Sequence, residues 1–417
     1  MKKILILAYY YPPCVGIAAN RPAAFANDFS QTNEAKVVTR HWLGTENQWE
    51  DYLISVNNQQ TSELINERLE VIRTPYQSKL KKPNKLRTFC QLLAGKLDPE
   101  IDATQLLLPA QQLLSRWKPD VILVSSPPLN IVQVGASLSK QFNIPLIADF
   151  RDFENDFTLN PTSTKTILER LKFSITKYYT KKLCSQAVGI TAINQEFCTY
   201  LGKLTNKPTR LIFNGFEASI FSKITSLDKL VSTHFSISII GTVYENQEYE
   251  IFLKAFKKVI EALPNGKIQF NFIGTETIPE IGQAIRESIP ASLLNLTPRI
   301  NRNEALIHLA NSHLVWQPEM VGFTGVYSGK IFEYLGAKRI ILVAPSQGDV
   351  LDVLLQETNA GFSFETAESI AEFIIIKYRE WEISGFIPYE GNDLSIQQYS
   401  RENQSLNLLH FINQFLP

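Results

Sequence analysis

The stretch YSGKIFEYLGAKRIILVAP, Tyr327–Pro345, reads as a helix running directly into a buried strand. Its second half, RIILVAP, is apolar without alternation, as in a strand covered on both faces by helices. That pattern places the stretch in a parallel sheet. The helix entrance carries Gly325, Ser328, Gly329 and Lys330, and Glu333 follows one turn later. A helix start presents N–H groups without intrahelical partners and a partial positive charge, so it favours an anion.

The same alternation extends along the chain in both directions. KILILAY (Lys3–Tyr9), AKVVTR, LEVIRTP, DVILVSSPP (Asp120–Pro128), IPLIADFRD (Ile144–Asp152), AVGITAIN and TRLIFNGFE read as strands separated by helical segments. After a polar connection the pattern restarts with FSISIIGTVYE, KIQFNFIG, HLVWQP and RIILVAP. Strand–helix alternation implies parallel sheets with right-handed crossovers. At 417 residues the chain exceeds one compact core. The expected fold is therefore α/β, with two Rossmann-like domains over residues 1–217 and 218–395. A last helix, 396–417, is expected to pack back on the first domain. The two halves show no sequence repeat.

Composition narrows the function classes. Hydrophobic residues make up 44% and charged residues 20%, as in ordinary globular proteins. Basic and acidic residues balance at 41 each, which argues against a general nucleic-acid binder. The four cysteines (Cys14, Cys90, Cys184, Cys198) have neither CxxC nor zinc-site spacing, and are expected to be reduced thiols in a cytoplasmic protein. MKKILILA meets YYYPP where a leader would need small residues, so it reads as a first strand. No apolar run of 18 residues is present.

In open parallel sheets ligands bind beyond the carboxyl ends of the strands. That rule selects YYYPPCVGIAANR, SSPPLN and DFRDFEND in the first half, and GTVYENQE, IGTET, PRINRNEA and EMVGFTGVYSGK in the second. At the helix entrance, Gly325 and Gly329 let backbone approach a phosphate, Ser328 is placed to cap the helix, and Lys330 adds a full charge. Glu333 is placed to accept hydrogen bonds from two adjacent sugar hydroxyls. The bland alternative is a capped helix with a solvated lysine. No GxGxxG follows the first strand and no GxxxxGK[ST] occurs, so dinucleotide and P-loop readings lose support. Asp149, Arg151 and Asp152 end an inner strand and are candidate catalytic groups, with an internal salt-bridged turn as the alternative. Of the five histidines only His41 lies near a first-domain loop of this kind.

With these residues in view, the chain resembles the retaining glycosyltransferases of family 4, which have the two-domain GT-B fold. ILILAYYYPPCVGIAANRPAAFA resembles the family's opening strand, glycine loop and arginine-bearing helix. LIFNGFEASIF resembles the motif at the crossing between domains, ISIIGTVYE the Gly-Thr opening of the donor domain, and SGKIFEYLGAKRIILVAP the sugar-nucleotide site of a Lys-x-x-Glu-Tyr subgroup. The resemblance implies two domains facing each other across a cleft, a UDP- or GDP-sugar donor, and neither metal nor other cofactor. It places Glu333 on the ribose, Lys330, Gly241 and Thr242 at the diphosphate, Gly16 near the diphosphate and donor sugar, and Arg21 on the acceptor side; Ser328 and Gly329 are donor-binding candidates from their place at the helix entrance. The chain departs from the family in three places. Gly325 stands where the family's first glutamate is found, and Glu319 is out of register. The usual Arg and Lys after the donor-domain turn are missing from GTVYENQE, leaving Arg299 or Arg302 to supply charge. Lys338-Arg339-Ile340 replaces Gly-x-Pro.

The acceptor is expected to be a saccharide or a lipid-linked group, and no nucleic acid is expected as partner. Two basic, apolar segments, Ser78–Lys96 and Thr164–Leu183, suggest a peripheral contact with the inner face of a membrane; solvated helix faces are the alternative. A non-hydrolysing sugar-nucleotide epimerase and a non-catalytic nucleotide-sugar-binding homologue remain open as other readings.

Overall fold

The computed structural model describes residues 1–46, 49–54, 56–77, 91–93, 95, 97, 101–152, 166–225, 233–320 and 322–416. Most of the basic segment Ser78–Lys96 lies outside them, as do Thr164 and Lys165 of the second one. The chain divides into two compact units, Met1–Asn214 with Arg401–Pro417, and Gly215–Ser400.

The first unit is built on eight strands: β1 (Lys3–Ala8), β2 (Glu34–Arg40), β3 (Thr61–Asn66), β4 (Leu69–Thr74), β5 (Val121–Ser126), β6 (Leu146–Phe150), β7 (Gly189–Ala192) and β8 (Thr209–Leu211). Their order is β3-β4-β2-β1-β5-β6-β7-β8. All pairs are parallel except β3 with β4. β1 sits centrally, with Ile4 opposite both Ala35 and Val121, and every residue from Ile4 to Ala8 is buried. This explains the unbroken apolar run: both faces are covered. Helix Asn20–Phe29 contributes Phe25, Ala26 and Phe29 to one core. The last helix, Arg401–Asn413, adds Leu408, Phe411 and Ile412 to the same core. At Gly189 a side chain would come within 2.8 Å of the Phe411 ring, so the strand there needs glycine.

The second unit has six parallel strands: β9 (Phe235–Ile240), β10 (Ile268–Ile273), β11 (Leu294–Leu296), β12 (Leu314–Pro318), β13 (Ile340–Ala344) and β14 (Gly361–Ser363). Their order is β11-β10-β9-β12-β13-β14. Trp316 packs among Phe252, Phe256 and Phe272, with ring centroids 4.6–5.7 Å apart. The expected class, α/β with two Rossmann-like sheets, is the one observed. Three short strands had no sequence signal. β3 is exposed throughout, while β11 and β14 are only three residues long. No helix among the described residues is long and apolar enough to cross a membrane.

Candidate functional site

In the second unit the strand order reverses between β9 and β12, the place beyond whose carboxyl ends open parallel sheets hold their ligands. The chain leaves β9 through Gly241, whose φ of +76° suits glycine, and whose amide donates to the Ile273 carbonyl at 2.7 Å. Helix Gly329–Gly336 faces this loop. Its buried Tyr334 hydroxyl accepts from the Ile240 amide at 3.2 Å, pinning the helix to the end of β9. At its other end Gly336 lies so close to Phe216 and Phe221 that a side chain would come within 2.7 Å of either ring.

This seating brings Lys330 against the loop. Its Nζ donates to the Thr242 carbonyl, and a side chain on Gly241 would lie 3.4 Å from Lys330 Cε. Among the described residues no carboxylate forms an ion pair with this half-buried ammonium. Burial pulls its pKa down to about 7. A cation held over a carbonyl at a helix entrance, lacking an acid of its own, is prepared for an anion. Gly329 leaves open space where a side chain would be.

Ser328 corrects one expectation. It occupies the N-cap position with extended backbone, but its hydroxyl donates to Gln317 Oε1 at 2.8 Å instead of capping the helix. Gln317 lies one residue before the end of β12, so the hydroxyl ties the helix entrance to the sheet. Glu333 is half-buried and accepts from Arg302 Nη2 at 2.8 Å; the same guanidinium lies 3.7 Å from Glu217. Of the two arginines considered from sequence, Arg302 is thus the one bound to Glu333.

In the sequence Glu319 is out of register with the family's first glutamate. It follows β12 directly, is 6% exposed, and its Oε1 has no hydrogen-bond partner. Burial, then the charges of Asp352 and Asp349, push its pKa up to about 7. Asp349 accepts the Gly325 amide at 2.6 Å, and Gly325 has φ +73°. The position lacking the family's glutamate is therefore a left-handed turn that suits glycine, tied to another carboxylate. Among the described residues no group of three His, Cys, Asp or Glu side chains is arranged to hold a metal ion.

The first unit disposes of several candidates. Asp149 is fully buried and accepts from Arg21 Nε at 2.9 Å, Arg21 Nη2 at 2.7 Å and Thr191 at 2.6 Å. Arg21 spends its remaining Nη1 on the Phe213 carbonyl at 2.7 Å. The two form a bidentate ion pair, 0% and 3% exposed, in which each side chain is engaged by the other; this matches the internal salt-bridged alternative for Asp149. His41 is likewise buried, with Nε2 at 3.0 Å from the Gln59 carbonyl, and burial lowers its pKa. Arg151 and Asp152 do lie at the carboxyl edge, half-buried and exposed respectively. Gly16 sits in the loop after β1, where a side chain would come within 3.2 Å of the Tyr52 ring.

No protein-family model matches this sequence, and no curated protein matches it either. Solved structures do match the fold. Sucrose-phosphate synthase from Thermosynechococcus elongatus superposes with a TM-score of 0.65 at 12% identity, over 100% of this chain and 99% of that one. Anabaena HepE, crystallised in complex with UDP-glucose, gives 0.60 at 14% identity over 99% and 100%. The fold is GT-B. UDP-GlcNAc 2-epimerase from Methanocaldococcus jannaschii also matches, with a TM-score of 0.52 at 12% identity over 99% and 100%. GT-B thus carries both transferases and epimerases, and the likeness establishes architecture while chemistry rests on the site.

Proposed function

We propose that this protein is a glycosyltransferase moving a sugar from a UDP- or GDP-sugar to an acceptor with retention of anomeric configuration, in surface polysaccharide or glycolipid synthesis. The observation that carries the reading is Lys330: a half-buried cation with no acidic partner among the described residues, at a helix entrance beside the glycine turn of β9. A diphosphate supplies the missing negative charge. Gly241, Thr242, Ser328 and Gly329 shape its seat, and Glu333 takes the ribose hydroxyls.

As the C1–O bond breaks, the electron pair leaves on the diphosphate, and Lys330 with the helix N-terminus stabilises that charge without reorganising. The acceptor hydroxyl attacks C1 on the same face and its proton passes to the departing phosphate oxygen. No side-chain nucleophile is needed. The cationic groups serve without a metal ion, so turnover should be the same with and without EDTA.

The test is release of free UDP or GDP from a panel of nucleotide sugars, with slow hydrolysis when no acceptor is present. Absence of both binding and release across the panel would refute the assignment. The epimerase reading is favoured by one observation, the epimerase among the matching folds. Conversion of UDP-GlcNAc to its 2-epimer without nucleotide release would establish it.

The protein also fits the surface of an anionic membrane. On helix Ile167–Cys184, Ile167 (85% exposed), Leu171 and Tyr178 (61% exposed) point outward, and Arg170, Lys177 and Lys181 beside them are exposed. Flotation with vesicles containing phosphatidylglycerol tests this reading, and failure to float refutes it.

A further inference from the structure

We infer that the first unit binds an anionic group of the acceptor, a phosphate or carboxylate, on the guanidinium of Arg151. The inference rests on the transferase reading for the word acceptor, but its physical basis is independent of the Lys330 site.

Position comes first. In the first unit the strand order reverses between β1 and β5, so the ligand crevice of this sheet lies beyond their carboxyl ends. Arg151 follows β6, the next strand, and its amide donates to the Ser126 carbonyl at the end of β5 at 2.7 Å. The guanidinium carbon lies 6.0 Å from the ring centroid of Tyr10, which follows β1. Tyr10 in turn stacks on Trp42, centroids 5.4 Å apart and planes at 22°, and Arg40 lies 4.2 Å from the Trp42 ring centroid. Aromatic side chains thus stand beside Arg151 at the ends of β1, β5 and β6.

The state of the neighbouring arginines decides the rest. Arg21 is paired with Asp149. Arg40 has its donors on the carbonyls of His41, Tyr52 and Ile54 and on the Tyr9 hydroxyl. Arg151 alone of the three has no hydrogen bond or ion pair on its guanidinium among the described residues. Five N–H donors are left on a half-buried charge that cannot be relieved by deprotonation. The acids beside it among the described residues do not remedy this. Asp149 is fully engaged by Arg21 and Thr191, and exposed Asp152 acts on Arg151 only through its field. Arg21 adds further positive potential, and burial disfavours the charged form of Arg151. A neutral sugar would gain little from such a group. A phosphate or carboxylate would be gripped by two parallel N–H bonds.

Beside this cation the loop after β1 exposes Val15 and Ile17 (72%). The anion could therefore come from a sugar phosphate or from a phosphate on a hydrocarbon chain, and the test separates them. The full chain, saturated with UDP to occupy the Lys330 site, is titrated by calorimetry with glucose 1-phosphate and with monododecyl phosphate below its micellar concentration. Methyl glucoside serves as the neutral control. At least one phosphate should bind roughly tenfold or more tightly than the control, and Arg151→Gln should abolish that margin. Arg151→Lys, which keeps the charge, should retain part of it. The tighter of the two phosphates identifies the source. UDP affinity should be unchanged in both variants. Binding of neither phosphate, or equal binding to Arg151→Gln and wild type, would overturn the inference. If UDP itself does not bind, the donor reading fails, while the contrast between wild type and Arg151→Gln still tests this one.

Discussion

Replacing Lys330 by methionine should make the ligand-free protein more stable and the protein nearly blind to nucleotide sugars. The side chain keeps its length and apolar stem but loses the ammonium. Burial takes the lysine from 10.5 to about 7. At about 1.36 kcal/mol per unit, that shift corresponds to roughly 5 kcal/mol against folding at pH 7. Loss of the bond to the Thr242 carbonyl gives back about 1.5–3 kcal/mol, and solvent on the exposed flank trims the remainder. A net stabilisation of about 1–3 kcal/mol is expected, raising the Tm by roughly 2–10 °C for a unit of this size.

The sign with pH is fixed by the direction of the shift. The folded pKa lies below the unfolded value, so between about 7 and 10.5 the unfolded chain holds more protons, and wild-type stability rises with pH. The gap between variant and wild type should be widest below pH 7 and narrow from there towards pH 10.5. Binding gives the complementary readout. A diphosphate restores the proton, so at pH 8 wild type should take up a fraction of a proton per UDP, seen by calorimetry in buffers of different ionisation enthalpy. Lys330→Met should take up none and bind UDP about 10- to 100-fold more weakly. Equal UDP affinity in the two proteins, or a lower Tm for the variant at pH 7, would refute the account of Lys330 as a cation kept for an anion.

Further expectations follow from the same geometry. Glu333→Ala should weaken UDP binding by roughly tenfold while leaving affinity for inorganic pyrophosphate unchanged, both read by calorimetry. Asp149→Asn should cost about 3–5 kcal/mol of stability, because it strands the buried Arg21 guanidinium; an unaltered melt with lost turnover would instead restore a catalytic role. Glu319 has its folded pKa raised from 4.5 to about 7, so its favourable state is complete below pH 4.5 and is lost as pH rises through 7. Glu319→Gln should therefore flatten the fall in Tm between pH 4.5 and 7 and melt higher than wild type at pH 8.

How much of this could be read from the chain alone depended on what each residue's neighbours were. Continuous apolar runs such as Lys3–Ala8 and Ile340–Ala344 announce central strands because burial on both faces leaves no room for polar residues. β3 gave no such signal, since all six of its residues are exposed, and among the described residues its backbone pairs with β4 alone. At the site, Lys330 was legible because glycines and a serine mark a helix entrance. The partners were not. That the Ser328 hydroxyl would choose Gln317, that Arg302 would reach Glu333 across 31 positions, and that Arg21 would disappear into Asp149 across 128, are tertiary facts without a local pattern. Glu319 was passed over because its spacing fits no motif. Its significance lies in burial and an unpartnered oxygen, which sequence does not record.

The two units show how one kind of side chain is assigned opposite tasks by its surroundings. Arg21 and Lys330 are both cations on the first helical turn near a glycine-containing loop that follows a sheet's central strand. Arg21 meets a carboxylate that the sheet itself carries, so its charge is cancelled and the pair becomes core. Lys330 meets only a backbone carbonyl, whose dipole orients the ammonium without neutralising it. Desolvation without neutralisation is costly to the empty protein, and a ligand that brings the missing charge recovers that cost on binding. An acidic residue placed near Lys330 should therefore stabilise the protein and abolish nucleotide binding together. Thr242→Asp is the direct trial, with melting and UDP calorimetry measured on the same sample; a variant that gained stability and still bound UDP as wild type does would break the link between the two.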